Sequence, residues 1–219
     1  MRYFISAGEA SGDLHAAALI GAFRSVDEGA CFSFLGGDRM AAAAGTAPMV
    51  HIRDMAYMGF SEVLRHLPDI RANLRVAIDA VRSQSMRPDA VVLVDYPSFN
   101  LKIAREAYRL GIPVFYYIPP KVWAWKEWRV KSIRRYCSDV FCILPFEPDF
   151  YSRHGMTVAY VGNPSVEEVD AALPSLVAVP SDKPLLALVP GSRMGEIRNN
   201  LPVMLEAASM FAGSLTPAI

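Results

Sequence analysis

The stretch AVVLVDYPSFN, residues 90–100, determines how the rest of the sequence is interpreted. Its first five residues are all apolar, and a short unbroken apolar run is typical of a strand covered on both faces, as in parallel sheets. The run stops at Asp95-Tyr96-Pro97, and the residues after it predict a helix over 99–110 that Gly111 ends. A strand followed at once by a helix is the repeating unit of α/β folds.

The same unit recurs on both sides of this stretch. Before it, we predict a strand over 2–7, a helix to about Phe23 and a strand over 31–35. After it, we predict strands over 113–118, 140–144 and 158–161, with a helix over 122–135 and a short helix between them. Because β-α-β crossovers are right-handed, this order predicts an α/β fold with a doubly wound, parallel Rossmann-like sheet.

An apolar stripe at helical spacing precedes the central strand. Its residues recur in steps of three and four: Val63, Leu64, Leu67, Ile70, Leu74, Ile78 and Val81. Pro68 interrupts this pattern, and we expect it in the first turn of the longer helical piece.

The elements restart after a proline-rich segment. We predict an N-terminal Rossmann-like domain over 1–165, a connection over 166–183, and the incomplete start of a second Rossmann-like domain over 184–219. The last part consists of a strand over 185–189 and a helix to about 211. One strand and one helix cannot close a second core, so the alternative is that they add to the first sheet.

Composition limits the classes of function. Lys+Arg and Asp+Glu both number 22 among 219 residues, and this balance argues against wholesale nucleic-acid binding. Glu9 and Asp13 interrupt any secretion signal, and no stretch approaches the ~18 apolar residues of a membrane span. We therefore expect a soluble protein that can still lie on a membrane. The three cysteines lack metal-ligand spacing and are interpreted as buried free thiols in a reducing compartment.

Ligands of parallel sheets bind at the carboxyl ends of the strands, and two candidate sites fall there early in the chain. The first loop supplies small and polar residues that suit a sugar or phosphate: Gly8, Glu9, Ser11, Gly12 and Asp13. A tight turn with Ser11 or Asp13 as a helix cap is the alternative. At the second site Asp95 directly follows a buried strand and is a candidate general base, whereas an Asx turn or helix cap is the alternative.

Two further candidates follow the later strands. All three tryptophans lie within 123–128 beside several basic residues, a combination found on anionic lipid surfaces, although core packing or a solvated helix explains it too. Ser192 and Arg193 precede the last helix, where a helix N-terminus and a guanidinium suit a phosphate. The four histidines are scattered and there is no Asp-x-Asp pair, so we expect no metal and no cofactor.

Seven motifs in order resemble one family. They are 6-SAGEASGD-13, 58-MGFSEVL-64, 95-DYPSFN-100, 122-VWAW-125, 144-LPFE-147, 160-YVGNP-164 and 188-LVPGSR-193. The chain is similar over these positions to the lipid-A-disaccharide synthases, hexosyltransferases of glycosyltransferase family 19 with the two-domain GT-B architecture. The resemblance implies transfer of 2,3-diacylglucosamine from UDP to 2,3-diacylglucosamine 1-phosphate, with inversion, giving a β-1,6-linked disaccharide phosphate.

The resemblance also implies roles for individual residues. Asp95 matches the family's proposed base, and Arg193 matches a residue thought to stabilise the leaving diphosphate. The Gly8–Asp13 loop, Asn100 and Ser192 should contact substrate. Part of the apolar stripe falls where the family is thought to receive acyl chains at the membrane: Val63, Leu64, Leu67 and Ile70. The partners implied are the two lipid substrates and the cytoplasmic face of the inner membrane; an oligomer is left open.

The chain departs from the family in places. Ser98 stands where an acidic residue is often found, Asn163 where many members carry His, and Pro119 where many carry Ser. Members continue through a whole C-terminal domain, so we expect this chain alone to bind UDP weakly and to turn over negligibly. A different GT-B transferase, a lone acceptor-lipid or membrane-binding module, and a plain nucleotide-binding Rossmann domain are the alternatives. The last lacks Gly-x-Gly-x-x-Gly.

Overall fold

The computed structural model describes residues 1–55, 65–176, 181–191 and 194–219. The chain divides into two compact units, Met1–Glu167 and Glu168–Ile219. The first contains a seven-stranded parallel sheet and the second a two-stranded parallel sheet. The fold class expected from the sequence, an α/β fold of GT-B type with a doubly wound, parallel Rossmann-like sheet, is therefore confirmed.

The strands of the first unit lie in the order β3-β2-β1-β4-β5-β6-β7. Their bounds are β1 (Arg2–Ala7), β2 (Cys31–Gly36), β3 (Val50–His51), β4 (Ala90–Val94), β5 (Val114–Tyr117), β6 (Asp139–Cys142) and β7 (Ala159–Tyr160). The chain builds outward from β1 to β3, then returns to place β4 directly beside β1. This reversal of strand order creates a topological switch point, where ligands of such sheets bind.

Helices cover both faces of the sheet. They are α1 (Ala10–Val26), α2 (Asp38–Ala44), α3 (Leu67–Arg82), α4 (Pro97–Arg109), α5 (Val130–Tyr136) and α6 (Glu147–Arg153). A further helix, α7 (Pro164–Ala172), has no buried residue and includes the boundary between the two units. On one face, Ile20 of α1 and Met40 of α2 pack with Ile5 of β1. On the other, Val81 of α3 and Ile103 of α4 pack against β4 and its neighbours. All five residues of β4 are buried, as its apolar run predicted.

The second unit contains β8 (Leu185–Ala187), α8 (Met194–Ser209) and β9 (Thr216–Ala218). β8 and β9 pair in parallel with each other and form a sheet separate from the first. The alternative that these elements extend the first sheet is therefore wrong. β9 was not predicted, because a three-residue strand containing Pro217 has almost no strand pattern in its sequence.

Other sequence predictions need correction. The helix expected over 122–135 begins later, with a 3-10 turn at Glu127–Arg129 that leads into α5. Lys126 has a φ of 58°, which a right-handed helix cannot include. Cys31 is exposed rather than buried, because it is the first residue of β2 and lies at the exposed end of that strand. Pro68 does lie in the first turn of its helix, as predicted.

Candidate active site

The loops after β1 and β4 lie side by side at the switch point. Ala7 at the end of β1 pairs with Val94 at the end of β4, so Gly8 and Asp95 both leave the sheet at the same edge. A Cβ on Gly8 would lie 2.3 Å from the ring of Tyr96, the residue after Asp95. Glycine at position 8 is therefore what lets the two loops touch.

The backbone at Asp95 is unusual. Asp95 and Tyr96 have φ values of 46° and 47°, and Ile118 on the neighbouring loop has 57°. Left-handed angles at residues other than glycine cost about 1–3 kcal/mol each and concentrate at functional sites. The N–H of Asp95 donates to the Ile118 carbonyl at 3.2 Å, so these strained residues support one another. The Asp95 side chain is half-buried, which suits a carboxylate that must both be fixed in position and meet a substrate.

Asn100 holds the Asp95 loop in place through hydrogen bonds. Its Nδ2 donates to the carbonyl oxygens of Asp95 at 2.7 Å, Val94 at 3.2 Å and Ser6 at 3.3 Å. Its Oδ1 accepts a hydrogen bond from the Ser6 hydroxyl at 2.7 Å. Asn100 is fully buried, so in this arrangement its amide joins β1 to β4 and positions Asp95. The substrate contact predicted for Asn100 stays a prediction.

A buried phenol supports the Asp95 loop from the neighbouring strand. The Tyr116 hydroxyl donates to the Asp95 carbonyl at 2.8 Å. Burial raises the pKa of Tyr116 well above its usual value, the nearby Asp95 carboxylate raises it further, and the Arg129 cation opposes this shift. Tyr116 therefore remains a protonated donor over the physiological range, and the Asp95 loop keeps its support.

The glycine-rich first loop serves several structural purposes. α1 begins at Ala10 with Glu9 at the N-cap position, so neither Ser11 nor Asp13 caps this helix as the alternative interpretation had it. Asp13 instead reaches across to α2, where its carboxylate accepts from the N–H groups of Gly37 at 2.6 Å, Met40 at 3.1 Å and Arg39 at 3.2 Å. Asp13 is buried by this cap.

Within that loop, the exposure of the side chains differs. Ser11 is exposed and Glu9 is half-buried, so both are accessible to solvent in the segment that follows β1. Gly12 is buried, and a Cβ there would lie 3.3 Å from that of Ala7, so this glycine lets α1 approach the sheet. Substrate contacts of these five residues stay predictions, and the geometry favours Ser11 and Glu9 over Asp13 for them.

Arg129 is one of the basic residues grouped with the tryptophans in the prediction of a basic face, but the structure buries it at this edge. Its Nη2 donates to the Ser98 hydroxyl, three residues after Asp95, at 2.7 Å. Only 7% of Arg129 is exposed. No local sequence pattern distinguishes this buried side chain from the neighbouring basic residues.

The tryptophans of the third candidate site point outward. Trp125 and Trp128 are 65% and 64% exposed, so the core-packing interpretation is wrong for both. The ammonium of Lys126 lies 3.9 Å from the centre of the Trp125 ring. Trp123 is less exposed and donates its indole N–H to the buried Glu147 at 3.3 Å.

Several predicted residues have other surroundings or lie outside the described residues. Ile70 packs against the sheet core and Leu67 is half-buried, so core packing accounts for at least Ile70. Val63, Leu64, Ser192 and Arg193 lie outside the described residues. Among the described residues, no group of three or more metal-ligating side chains is found. No helix in the described ranges is long and apolar enough to cross a bilayer.

Comparison with solved structures shows the same fold at low identity. The UDP-GlcNAc 2-epimerase of Neisseria meningitidis, solved with UDP-GlcNAc bound, superposes with a TM-score of 0.62 at 12% identity. The match covers all of this chain and 66% of that one. The UDP-GlcNAc 2-epimerase of Methanocaldococcus jannaschii gives a TM-score of 0.56 at 17% identity, with 100% and 66% covered.

Comparison with sequences identifies the family. The lipid-A-disaccharide synthase of Myxococcus xanthus is 44% identical over 212 residues, which cover 94% of this chain and 55% of that protein. That of Syntrophus aciditrophicus is 40% identical over 221 residues, covering 97% and 56%. The chain thus spans about half the length of these curated relatives. Because residues 3–216 also match the family model described as lipid-A-disaccharide synthetase, the chain belongs to that family.

Proposed function

We propose that this chain forms the acceptor-side part of an inverting glycosyltransferase. The reaction transfers 2,3-diacylglucosamine from UDP to the 6-hydroxyl of 2,3-diacylglucosamine 1-phosphate and forms a β-1,6 linkage. The observation that carries this proposal is the half-exposed Asp95 at the switch point, whose loop is fixed through hydrogen bonds from Asn100 and Tyr116. Family membership supplies the chemistry.

Asp95 acts in this scheme as the general base. It takes the proton of the acceptor 6-hydroxyl as that oxygen attacks the anomeric carbon from the face opposite UDP, and one carboxylate suffices for a single inverting displacement. Arg193, with Ser192 beside it, stabilises the negative charge that develops on the departing diphosphate. A fixed base lowers the barrier because little reorganisation is needed at the moment of proton transfer.

We also propose that the protein lies on the cytoplasmic face of the inner membrane. Trp125 and Trp128 supply exposed aromatic surface, and Lys126 lies against Trp125. Exposed aromatics beside cations favour the interface of an anionic membrane. The predicted acyl contacts, Val63, Leu64, Leu67 and Ile70, belong to the same proposal, with Ile70 the least suited because it packs in the core.

The test is a transfer assay with labelled UDP-2,3-diacylglucosamine. This chain is compared with a chimera in which it replaces the matching part of the Myxococcus xanthus relative. We expect turnover from the chimera, negligible turnover from the 219-residue chain, and at least a ~1000-fold loss in the chimera with Asp95→Asn, while lipid binding persists. The matched control is Asp149→Asn, an exposed residue whose backbone carbonyl oxygen accepts hydrogen bonds from Ser152 and Arg153 and would still do so in the variant. Equal transfer by the Asp95 and Asp149 variants would show that Asp95 is not the base.

A further inference from the structure

A cavity lies beside the exposed Trp128 of the first unit, and we name it the α5 pocket. Its volume is about 320 Å³, at the lower end of the range for small-ligand sites. The 3-10 turn before α5, α5 itself and the residue after α6 line this pocket: Glu127, Trp128, Val130, Lys131, Arg134 and His154. Because Trp128 is 64% exposed, the pocket adjoins the aromatic surface that is proposed to contact the membrane.

Two cations on one side of α5 give this pocket its charge. Lys131 and Arg134 are three residues apart, a spacing that makes side chains neighbours on the surface of a helix. Both side chains are exposed, and neither belongs to an ion pair within the described part of the chain. Like charges that are neighbours on a helix repel each other, so an anion bound between them would relieve this repulsion.

The guanidinium of Arg134 is held in place and keeps donors for a ligand. Its Nη1 donates to the His154 carbonyl at 3.1 Å, whereas its Nε and Nη2 donate to no described residue. The acidic residue in the lining is Glu127, whose Oε1 lies 3.1 Å from Nε2 of His154. This carboxylate is therefore engaged by His154 and not by Lys131 or Arg134. With two cations against one carboxylate, the α5 pocket carries a net positive charge.

We propose that the α5 pocket binds the phosphate of an anionic phospholipid head group. This inference rests on the proposed membrane location, because Trp128 places the pocket beside the lipid. The phosphodiester accepts two parallel hydrogen bonds from Nε and Nη2 of Arg134, and Lys131 adds a point charge. The Trp128 indole lies at the depth of the head groups, which is where indoles concentrate in membranes. The pocket thereby adds a preference for anionic lipid to an aromatic contact that has none.

Cosedimentation of the 219-residue chain with two kinds of vesicle tests the pocket. One kind is phosphatidylcholine alone, and the other contains about one-quarter phosphatidylglycerol, which gives its surface a negative charge. We expect the unaltered chain to bind the anionic vesicles at least about tenfold more tightly than the neutral ones. Arg134→Gln should remove most of this preference, because it removes the charge and the donor fork from the pocket. Its binding to neutral vesicles should not change.

Arg135→Gln is the matched control. Arg135 is the next residue of the same helix and is also exposed, but it does not line the α5 pocket, and its guanidinium lies 5.8 Å from the Tyr136 ring. This variant removes the same charge from the same helix, so it reports what charge alone contributes. We expect Arg135→Gln to weaken binding to anionic vesicles by less than about threefold, against about tenfold for Arg134→Gln.

Calorimetry with soluble probes separates lipid from free phosphate. The probes are dihexanoylphosphatidylglycerol, kept below the concentration at which it forms micelles, and glycerol 3-phosphate. We expect the lipid to bind the unaltered chain at least about tenfold more tightly, because its glycerol and acyl carbons add contacts with Trp128 and Val130.

Three results would overturn the proposal, each in a different way. Equal losses in Arg134→Gln and Arg135→Gln would assign the preference to diffuse charge and leave the proposed membrane location standing. If the unaltered chain bound neither kind of vesicle, the membrane location would be wrong and the pocket would have no lipid to bind. If glycerol 3-phosphate bound as tightly as the short-chain lipid and Arg134→Gln abolished both, the pocket would be a site for soluble phosphates.

Discussion

Asn100 contributes to the site without needing to touch a substrate. Three carbonyl oxygens, those of Ser6, Val94 and Asp95, share its Nδ2, and all belong to the two strand ends that form the switch point. An asparagine is suited to this position because it presents a donor to the carbonyls and an acceptor to the Ser6 hydroxyl at the same time.

The variant Asn100→Asp keeps the shape of the side chain and removes its donors. A buried carboxylate would then face three carbonyl oxygens, so we expect the free energy of unfolding to fall by about 2–4 kcal/mol in urea denaturation. Asn163→Asp is the control, because Oδ1 of Asn163 accepts from the Ser165 N–H and an aspartate can do the same. Similar stability of the two variants would contradict the role assigned to Asn100.

Gly8 sets the contact between the two loops. In Gly8→Ala the new Cβ would displace the Tyr96 ring, which also donates its hydroxyl to the Met55 carbonyl at 3.0 Å. We expect a loss of about 1–3 kcal/mol in thermal or urea unfolding, from overpacking. Gly21→Ala, in the middle of α1 with nothing within 4 Å, should instead stabilise by about 0.4–1 kcal/mol. If Gly8→Ala left the free energy of unfolding unchanged, the close contact between the two loops would not contribute to stability.

At the scale of elements, a helix or strand could be predicted where its pattern lies within a short stretch of sequence, and not where it depends on contacts with distant residues. β4 was predictable because all five of its residues are apolar and buried, and α3 because its stripe and Pro68 are local patterns. α2 was missed: its seven residues are too few for a periodic pattern, and its cap comes from Asp13, 24 residues before the nearest amide that it binds. Asp95 was placed correctly at a strand end, but Tyr116, which donates to its carbonyl, and Arg129, which donates to Ser98, come from later segments, and sequence spacing does not reveal such contacts.

The segment between β5 and α5 carries the proposed membrane contact. Trp125 lies in irregular backbone and Trp128 in the 3-10 turn Glu127–Arg129, and both rings are exposed. We expect Trp125→Ala together with Trp128→Ala to weaken binding to vesicles containing anionic lipid by about tenfold or more in cosedimentation. The control Tyr108→Ala removes an exposed aromatic of α4, whose ring lies tilted against that of Tyr136. Equal binding by both variants would place the membrane contact elsewhere.

At the scale of the whole molecule, the stability of the first unit depends on pH, because its core contains thiols and phenols whose pKa values are raised. Burial raises the pKa of the Cys137 and Cys142 thiols to about 12, against an ordinary value of 9.0. Burial also raises the pKa of the Tyr116 and Tyr151 phenols. Above pH 9 the unfolded chain therefore releases protons that the folded chain retains. The unfolded state then binds fewer protons, so the free energy of unfolding must fall as pH rises.

We expect this loss to begin near pH 9 and to continue towards pH 12, at about 1 kcal/mol per buried thiol by pH 10. Urea denaturation followed by circular dichroism at pH 7, 9 and 10 measures it. Cys142→Ala should reduce the slope of stability against pH, whatever its effect at pH 7, because one titrating group is gone. Cys31→Ala should leave the slope unchanged, since Cys31 is exposed. If the two variants share the slope of the unaltered chain, the buried Cys142 thiol does not govern its alkaline stability.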